Sequence, residues 1–277
     1  MNVVKDITVA GQTIFVKVSD KRKKKAPGEK RGEREKATPE EIEKINQKNA
    51  ERILAILINY NFQPGDYHIV LTYSGEEPSK AQAKKDLEKF KRQLMELYRA
   101  NGLNLRWITA TEYENTRIHH HIVMTGGIDI IEIAKVWGHG FIRPAFLDDS
   151  GDYRKLASYL IKETSKSFRE ADAVSRRRYN CSRSIVRPMT NEDDKVSAAQ
   201  LIEPKPIEGY YIDQDSVYRG RNPITGKQYI EYVLISMTEE PRIKNWNRGK
   251  RKKLRSEYFR VGKNHQVEMD FEAMMAC

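Results

Sequence analysis

The sequence predicts an α+β fold: an antiparallel β-sheet flanked by helices, followed by a C-terminal β-rich and basic extension. Three observations predict it. Short β-prone runs, at 67–73, 104–113, 116–124 and 141–146, read as strands. Segments with the three-to-four spacing of amphipathic helices lie between and after them, starting at Ser79, Asp129 and Tyr153. The runs 104–113 and 116–124 are separated by so little chain that they must form an antiparallel hairpin, with Glu114-Asn115 at its tip. The resulting order is β-α-β-β-α-β-α.

The elements can be justified in turn. Residues 2–19 read as a β-hairpin turning near Gly11. Lys21 to Arg31 holds no apolar run and contains Pro27 and Gly28, so it is expected as a solvated loop that touches phosphates only non-specifically. Thr38-Pro39-Glu40-Glu41 starts a helix, with Thr38 as N-cap, Pro39 at the first position and Glu41 closing a capping box. Ile42, Ile45, Ile53, Leu54, Leu57 and Ile58 form its apolar stripe, expected in the core. Pro64-Gly65-Asp66 turns into the strand from Tyr67. Ser79 caps the next helix, which buries Leu87, Phe90, Leu94 and Leu97 and stops near Gly102.

Beyond the central hairpin, Gly126-Gly127 breaks the chain and Asp129 starts a short helix with Glu132 at the capping-box position. Pro144 marks the strand 141–146 as an edge strand. Asp149 to Asp152 leads into a helix over 153–168. After residue 170 the character changes. Arg176-Arg177-Arg178-Tyr179, Arg183 and Arg187 make a basic stretch with an aromatic, suited to tracking a single strand by charge and stacking, or simply an exposed connector. Residues 207–237 read as further strands, and Asn245 to Arg260 as another basic segment. The expected domains are 1–37, hairpin and linker; 38–170, the central domain; and 171–277, the extension.

Composition narrows the partners. The 277 residues carry a net charge of +11, 39% hydrophobic and 32% charged residues, with a pI near 9.4 and a mean hydropathy of −0.74. That balance allows a core and favours a polyanionic partner. Cys181 and Cys277 stand far apart and suggest neither a zinc knuckle nor a disulfide framework. No apolar run has the length of a membrane span and the start lacks a signal-peptide pattern, so a cytoplasmic protein is expected. Gly220 to Gln228 superficially resembles a phosphate-binding loop, but its glycines are one residue too far apart. Gln228 also stands where a Ser or Thr would hold magnesium, and a strand follows instead of a helix. A hairpin turn explains it better, and no ATPase or helicase module is expected.

The chemistry concentrates in Arg117-Ile118-His119-His120-His121-Ile122-Val123-Met124. On a strand, His119 and His121 share one face and His120 takes the other. With a two-residue turn, Glu112 pairs with Arg117 on that same face and has His119 as its diagonal neighbour, near enough to share an ion. Downstream, Tyr159 and Lys162 stand at i,i+3 on one helix face.

These residues resemble a known family. His119-His120-His121 is similar to the HUH motif, Tyr159-Leu160-Ile161-Lys162 to its Tyr-x-x-Lys partner, and Val70-Leu71-Thr72-Tyr73 to its first motif. Together, over roughly 65–170 and in the right order, they resemble rolling-circle replication initiators (Rep proteins) of the HUH endonuclease superfamily, of single-tyrosine type. His120 replaces the usual bulky apolar residue.

The resemblance implies an HUH endonuclease, RRM-like palm. It also implies a Mg2+ or Mn2+ ion on His119, His121 and Glu112, Tyr159 as nucleophile and Lys162 as its cationic partner. The expected reaction nicks single-stranded or hairpin origin DNA, leaves a 5′-phosphotyrosine and a free 3′-OH primer, and later rejoins ends. Arg117, Arg176, Arg177, Arg178, Arg183 and Arg187 are the expected DNA contacts, and unwinding would fall to a separate host helicase. Tyr153 lies on another helix face, which argues against a two-tyrosine site. The competing reading is a non-catalytic single-stranded nucleic-acid-binding module with an RRM-like sheet; such a module needs aromatics on its central strands, where this hairpin carries His and Glu. A third is another His-His-carboxylate metal enzyme, such as a non-haem iron oxygenase, which has no need of Tyr159 and Lys162.

Overall fold

The strand-forming runs assemble into two separate antiparallel sheets of five strands each. The computed structural model describes residues 3–20, 37–113, 116–164, 168, 173–194, 196–223 and 225–238. They fall into two units, one of the residues up to Asn46 with those from Arg187 onward, the other of Gln47–Val186. The basic run 21–31, the hairpin tip Glu114-Asn115, residues 165–167, the segment 245–260 and Cys277 lie outside the described residues.

In the first unit, β1 (Val3–Ala10) and β2 (Thr13–Asp20) form the expected hairpin around Gly11, whose φ of 56° suits a residue without Cβ. The later strands β8 (Thr190–Asp193), β9 (Tyr210–Arg221) and β10 (Gln228–Ser236) join that hairpin in the order β8-β1-β2-β10-β9. One core therefore draws on both ends of the chain: Val3, Ile7, Val9, Ile14, Val16 and Val18 meet Tyr210, Ile230, Tyr232 and Leu234. The stretch that superficially resembles a phosphate loop is the turn between β9 and β10, closed by Asn222 N–H to the Lys227 carbonyl at 2.8 Å.

The second unit holds β3 (Tyr67–Thr72), β4 (Trp107–Glu112), β5 (His119–Met124), β6 (Ile142–Phe146) and the short β7 (Asn180–Cys181). Their order is β6-β3-β5-β4-β7, so Pro144 does sit on an edge strand. The helices are α1 (Pro39–Asn61, crossing the boundary between units), α2 (Lys80–Ala100), α3 (Ile130–Trp137) and α4 (Arg154–Glu163). Thr38 and Glu41 form the reciprocal capping box, Ser79 caps α2 through Gln82 N–H, and Asp129 caps α3 through Ile131 N–H.

Strand alternation divides this sheet into two faces. Tyr67, Ile69, Leu71, Ile122 and Met124 pack with Phe90, Leu94 and Tyr98 of α2 and with Ile133 and Trp137 of α3. Phe90 and Trp137 meet edge to face at 5.5 Å, a contact worth about 0.5–1.5 kcal/mol beyond its area. The opposite face carries His68, Val70, His119 and His121, with α4 on that side. Buried Asn59 of α1 fixes the start of α4, accepting from Tyr153 N–H at 2.9 Å.

Two expectations need correction. Ile42 and Ile53 of the α1 stripe are exposed, and only Leu54, Leu57 and Ile58 reach the core. The spacing correctly marks a shared helix face, but nothing among the described residues covers that face near its N-terminal end. The central hairpin is also longer-looped than a two-residue turn: Glu112 lies opposite His119, not Arg117. Residues 116–118 are held elsewhere. Ile118 N–H donates to Glu77 at 2.6 Å, Arg117 donates to the Gly75 carbonyl at 2.6 Å, and Ile118 is buried beside Ala83 and Val174. The slip is two residues, so every side chain keeps its face.

Candidate metal centre

The register brings three predicted residues together. Glu112 on β4 is directly opposite His119 on β5, and His121 is one step along the same face. Glu112 Oε2 lies 3.1 Å from His119 Nε2 and 3.8 Å from His121 Nε2, and both Glu112 and His121 are buried. One ligand atom from each of the three falls within 4.8 Å of the others. This group can hold a divalent cation.

The outer atoms of the imidazoles test that fit. His119 Nδ1 is 2.9 Å from the Arg117 carbonyl, which can only accept, so Nδ1 carries the proton and Nε2 is left with its lone pair. His121 Nδ1 is 3.2 Å from His68 Nε2 on β3, and the two rings stack with centroids 5.5 Å apart. His121 Nε2 is buried with no hydrogen-bond partner. A buried imidazole nitrogen without a partner is costly unless something else takes its lone pair. Burial holds His121 neutral, pushing its pKa down to about 3 with help from neighbouring histidines, and burial pushes His68 down to about 4. Neutral imidazoles and one carboxylate suit Mg2+ or Mn2+, the latter accepting nitrogen more readily.

Tyr159 projects from α4 against this group, its ring edge-on to His121 with centroids 5.4 Å apart. It is 43% exposed, enough to be reached from solvent. Burial, then Glu163 and Glu112, raise its pKa above the ordinary phenol value. Lys162 is exposed one turn further along α4, and Tyr153 is buried with its hydroxyl on the Asp148 carbonyl.

His120, the middle residue, is fully buried on the opposite face. Its Nδ1 meets Thr111 Oγ1 at 2.9 Å and its Nε2 meets Tyr73 Oη at 3.1 Å. It thus ties β5 to β4 and to the end of β3. His68 is the site residue that sequence reading misses; it is a further strand-borne histidine, but only the β3–β5 register reveals where it points. The predicted basic residues are not gathered at the triad. Arg176, Arg177 and Arg183 are spread along the chain beyond α4, Arg178 lies over the Phe168 ring at 4.7 Å, and Arg187 opens the later part of the first unit.

Residues 66–168 match the model of a replication-associated protein family, the one typified by ORF2. The match encloses the triad, His68, Tyr159 and Lys162, and supports a replication-associated protein. No curated protein and no solved structure matches the chain. Among the described residues no helix is long and apolar enough to cross a membrane.

Proposed function

We propose that this chain initiates rolling-circle replication by nicking single-stranded origin DNA and later rejoining its ends. The observation that carries this reading is the meeting, on one sheet face, of a partnerless buried imidazole nitrogen, a carboxylate and an accessible phenol. The family match over the same residues supports it.

Glu112, His119 and His121 would hold Mg2+ or Mn2+. When bound, the ion supplies Lewis-acid polarisation of the scissile phosphate and neutralises charge that develops there. The remaining work belongs to the protein's own groups. Tyr159 Oη attacks phosphorus and forms a phosphotyrosyl bond, while the bond from phosphorus to the 3′ oxygen breaks. The leaving oxygen gains the proton that the phenol loses, by way of solvent, and ends as a 3′-OH. Rejoining is the reverse displacement by an incoming 3′-OH.

At rest the phenol is a poor nucleophile. An unperturbed phenol is ionised in roughly one part in a thousand at pH 7, about 4 kcal/mol from the reactive state. The surroundings of Tyr159 raise that barrier further. Positive charge must therefore arrive with the substrate complex, and the Lys162 ammonium, one turn away, supplies part of it to the phenolate or the phosphate. Arg117 and the basic segment containing Arg176, Arg177, Arg178, Arg183 and Arg187 would hold neighbouring phosphates.

The test compares parent and Tyr159→Phe, each incubated with Mn2+ and an end-labelled single-stranded hairpin DNA, on a denaturing gel. Parent protein is expected to form a covalent adduct; the variant is expected to bind DNA and form none. An adduct from both, or from neither, defeats the assignment. Binding without an adduct in the parent would favour the RRM-like, non-catalytic alternative.

A further inference from the structure

We propose that the end of β6 carries a binding subsite for single-stranded DNA, with Phe141 stacking on a base and Arg143 meeting a phosphate beside the scissile one. This rests on the nicking function proposed above and adds to it the surface that seats the flanking nucleotide.

The first argument is register. β3 lies between β5 and β6, and Val70 pairs with His121 on one side and Arg143 on the other. Arg143 therefore shares the face of the triad. One step along, Thr72 pairs with His119, and Thr72 N–H donates to the Phe141 carbonyl at 3.0 Å, which continues the β3–β6 pairing to Phe141. Two cross-strand rows result: Glu112–His119–Thr72–Phe141 and Ala110–His121–Val70–Arg143. Each runs from the metal group to the sheet edge over two strand spacings, about 10 Å. That is within reach of a nucleotide next to the one being cut.

The second argument is the cost of leaving Phe141 where it is. It is 78% exposed, the largest exposure among the described bulky hydrophobic residues. Its backbone is nevertheless firmly placed. Its carbonyl accepts from both Thr72 N–H and Thr72 Oγ1, and the nearby His139 carbonyl accepts from Ser74 N–H and Oγ. Gly140 is seated so tightly that a Cβ there would stand 2.4 Å from the Thr72 carbonyl oxygen and 2.7 Å from the Ser74 nitrogen. A pinned backbone that presents a bare aromatic ring is the arrangement a stacking platform requires.

The third argument excludes a strand from a second copy. β6 is an edge strand, and Pro144 at its centre has no N–H to offer along the free side. An aromatic ring and an exposed arginine on the metal face match a base and a phosphate instead.

The experiment measures binding of a labelled oligothymidylate by fluorescence anisotropy in EDTA, so that no cutting contributes. Phe141→Ala is expected to weaken affinity by about 5- to 100-fold, the range for losing one stacked base, and Phe141→Trp to preserve it. Arg143→Ala is expected to lower the slope of log affinity against log salt by about 0.7. Unchanged affinity in Phe141→Ala overturns the proposal, as does a change in sedimentation without a change in DNA binding, which would make the ring a protein contact. Because the readout needs no adduct, the two ideas fail separately. A parent that binds through Phe141 yet never forms an adduct removes the nicking reading alone, and one that forms the adduct but binds equally well without Phe141 removes this subsite alone.

Discussion

Replacing His68 by alanine removes the group that faces His121 Nδ1 at 3.2 Å. For His121 Nε2 to offer a lone pair, Nδ1 must carry the proton and His68 Nε2 must accept it. The expected result is a roughly 10- to 100-fold weaker Mn2+ affinity by titration calorimetry, the usual cost of losing such an outer partner, with partial rescue in His68→Gln through its amide oxygen. Equal affinities in all three proteins would make His68 a bystander. His120→Leu tests the other face. It strands the Thr111 hydroxyl and one contact of Tyr73 Oη, and should cost about 1–3 kcal/mol in urea unfolding while leaving the adduct intact. Loss of the adduct at full stability would mean that His120 serves the chemistry and not the sheet. The triad was legible in the sequence because strand parity alone puts His119 and His121 together, and because Glu112 keeps its face through a two-residue register slip. His68 was not, since its place depends on how β3 pairs with β5 across an intervening helix and strand, beyond the reach of any local pattern.

Elements whose ends carry their own chemistry were readable. Thr38, Ser79 and Asp129 sit before apolar periodic runs, and each accepts the backbone N–H that a cap should. Faces that depend on a distant cover were not: Ile42 and Ile53 share the apolar stripe of α1 and remain exposed. Nor was the six-residue connection from β4 to β5, because Glu77 and Gly75, which hold residues 117 and 118, come from the loop after β3. The junction of β3 and β6 offers a test at this scale. Gly140→Ala places a methyl against backbone atoms of Thr72 and Ser74, which cannot swing aside as a side chain would. The expected penalty is about 1–3 kcal/mol, read as a lower urea midpoint, with exchange of the Thr72 and Ser74 amides accelerated first. An unaltered midpoint would show that the 139–141 segment yields easily, and would weaken the case that Phe141 is held rigidly.

At the scale of the whole molecule the two sheets differ in how the chain supplies them. Every strand of the sheet that carries the triad lies within Gln47–Val186, and much of that order could be read from periodicity. The other sheet joins the first twenty residues to strands near residues 190–236, a pairing set by long-range fit and invisible to any local pattern. Its dependence on the N-terminal hairpin can be argued directly. β1 and β2 lie between β8 and β10, and six of its eleven buried core residues come from them. Without them β9 and β10 are a lone hairpin, which is marginal in water. Deleting residues 1–20 should therefore abolish hydrogen-exchange protection in 210–221 and 228–236. Amides of 67–72, 107–112 and 119–124 should stay protected and Mn2+ affinity unchanged, because that sheet has its own core around Phe90, Leu94, Tyr98 and Trp137. Persistent protection in the C-terminal strands would mean they fold without the hairpin. Loss of Mn2+ binding would mean the metal group depends on the first unit, contrary to the register that places all three of its residues on β4 and β5.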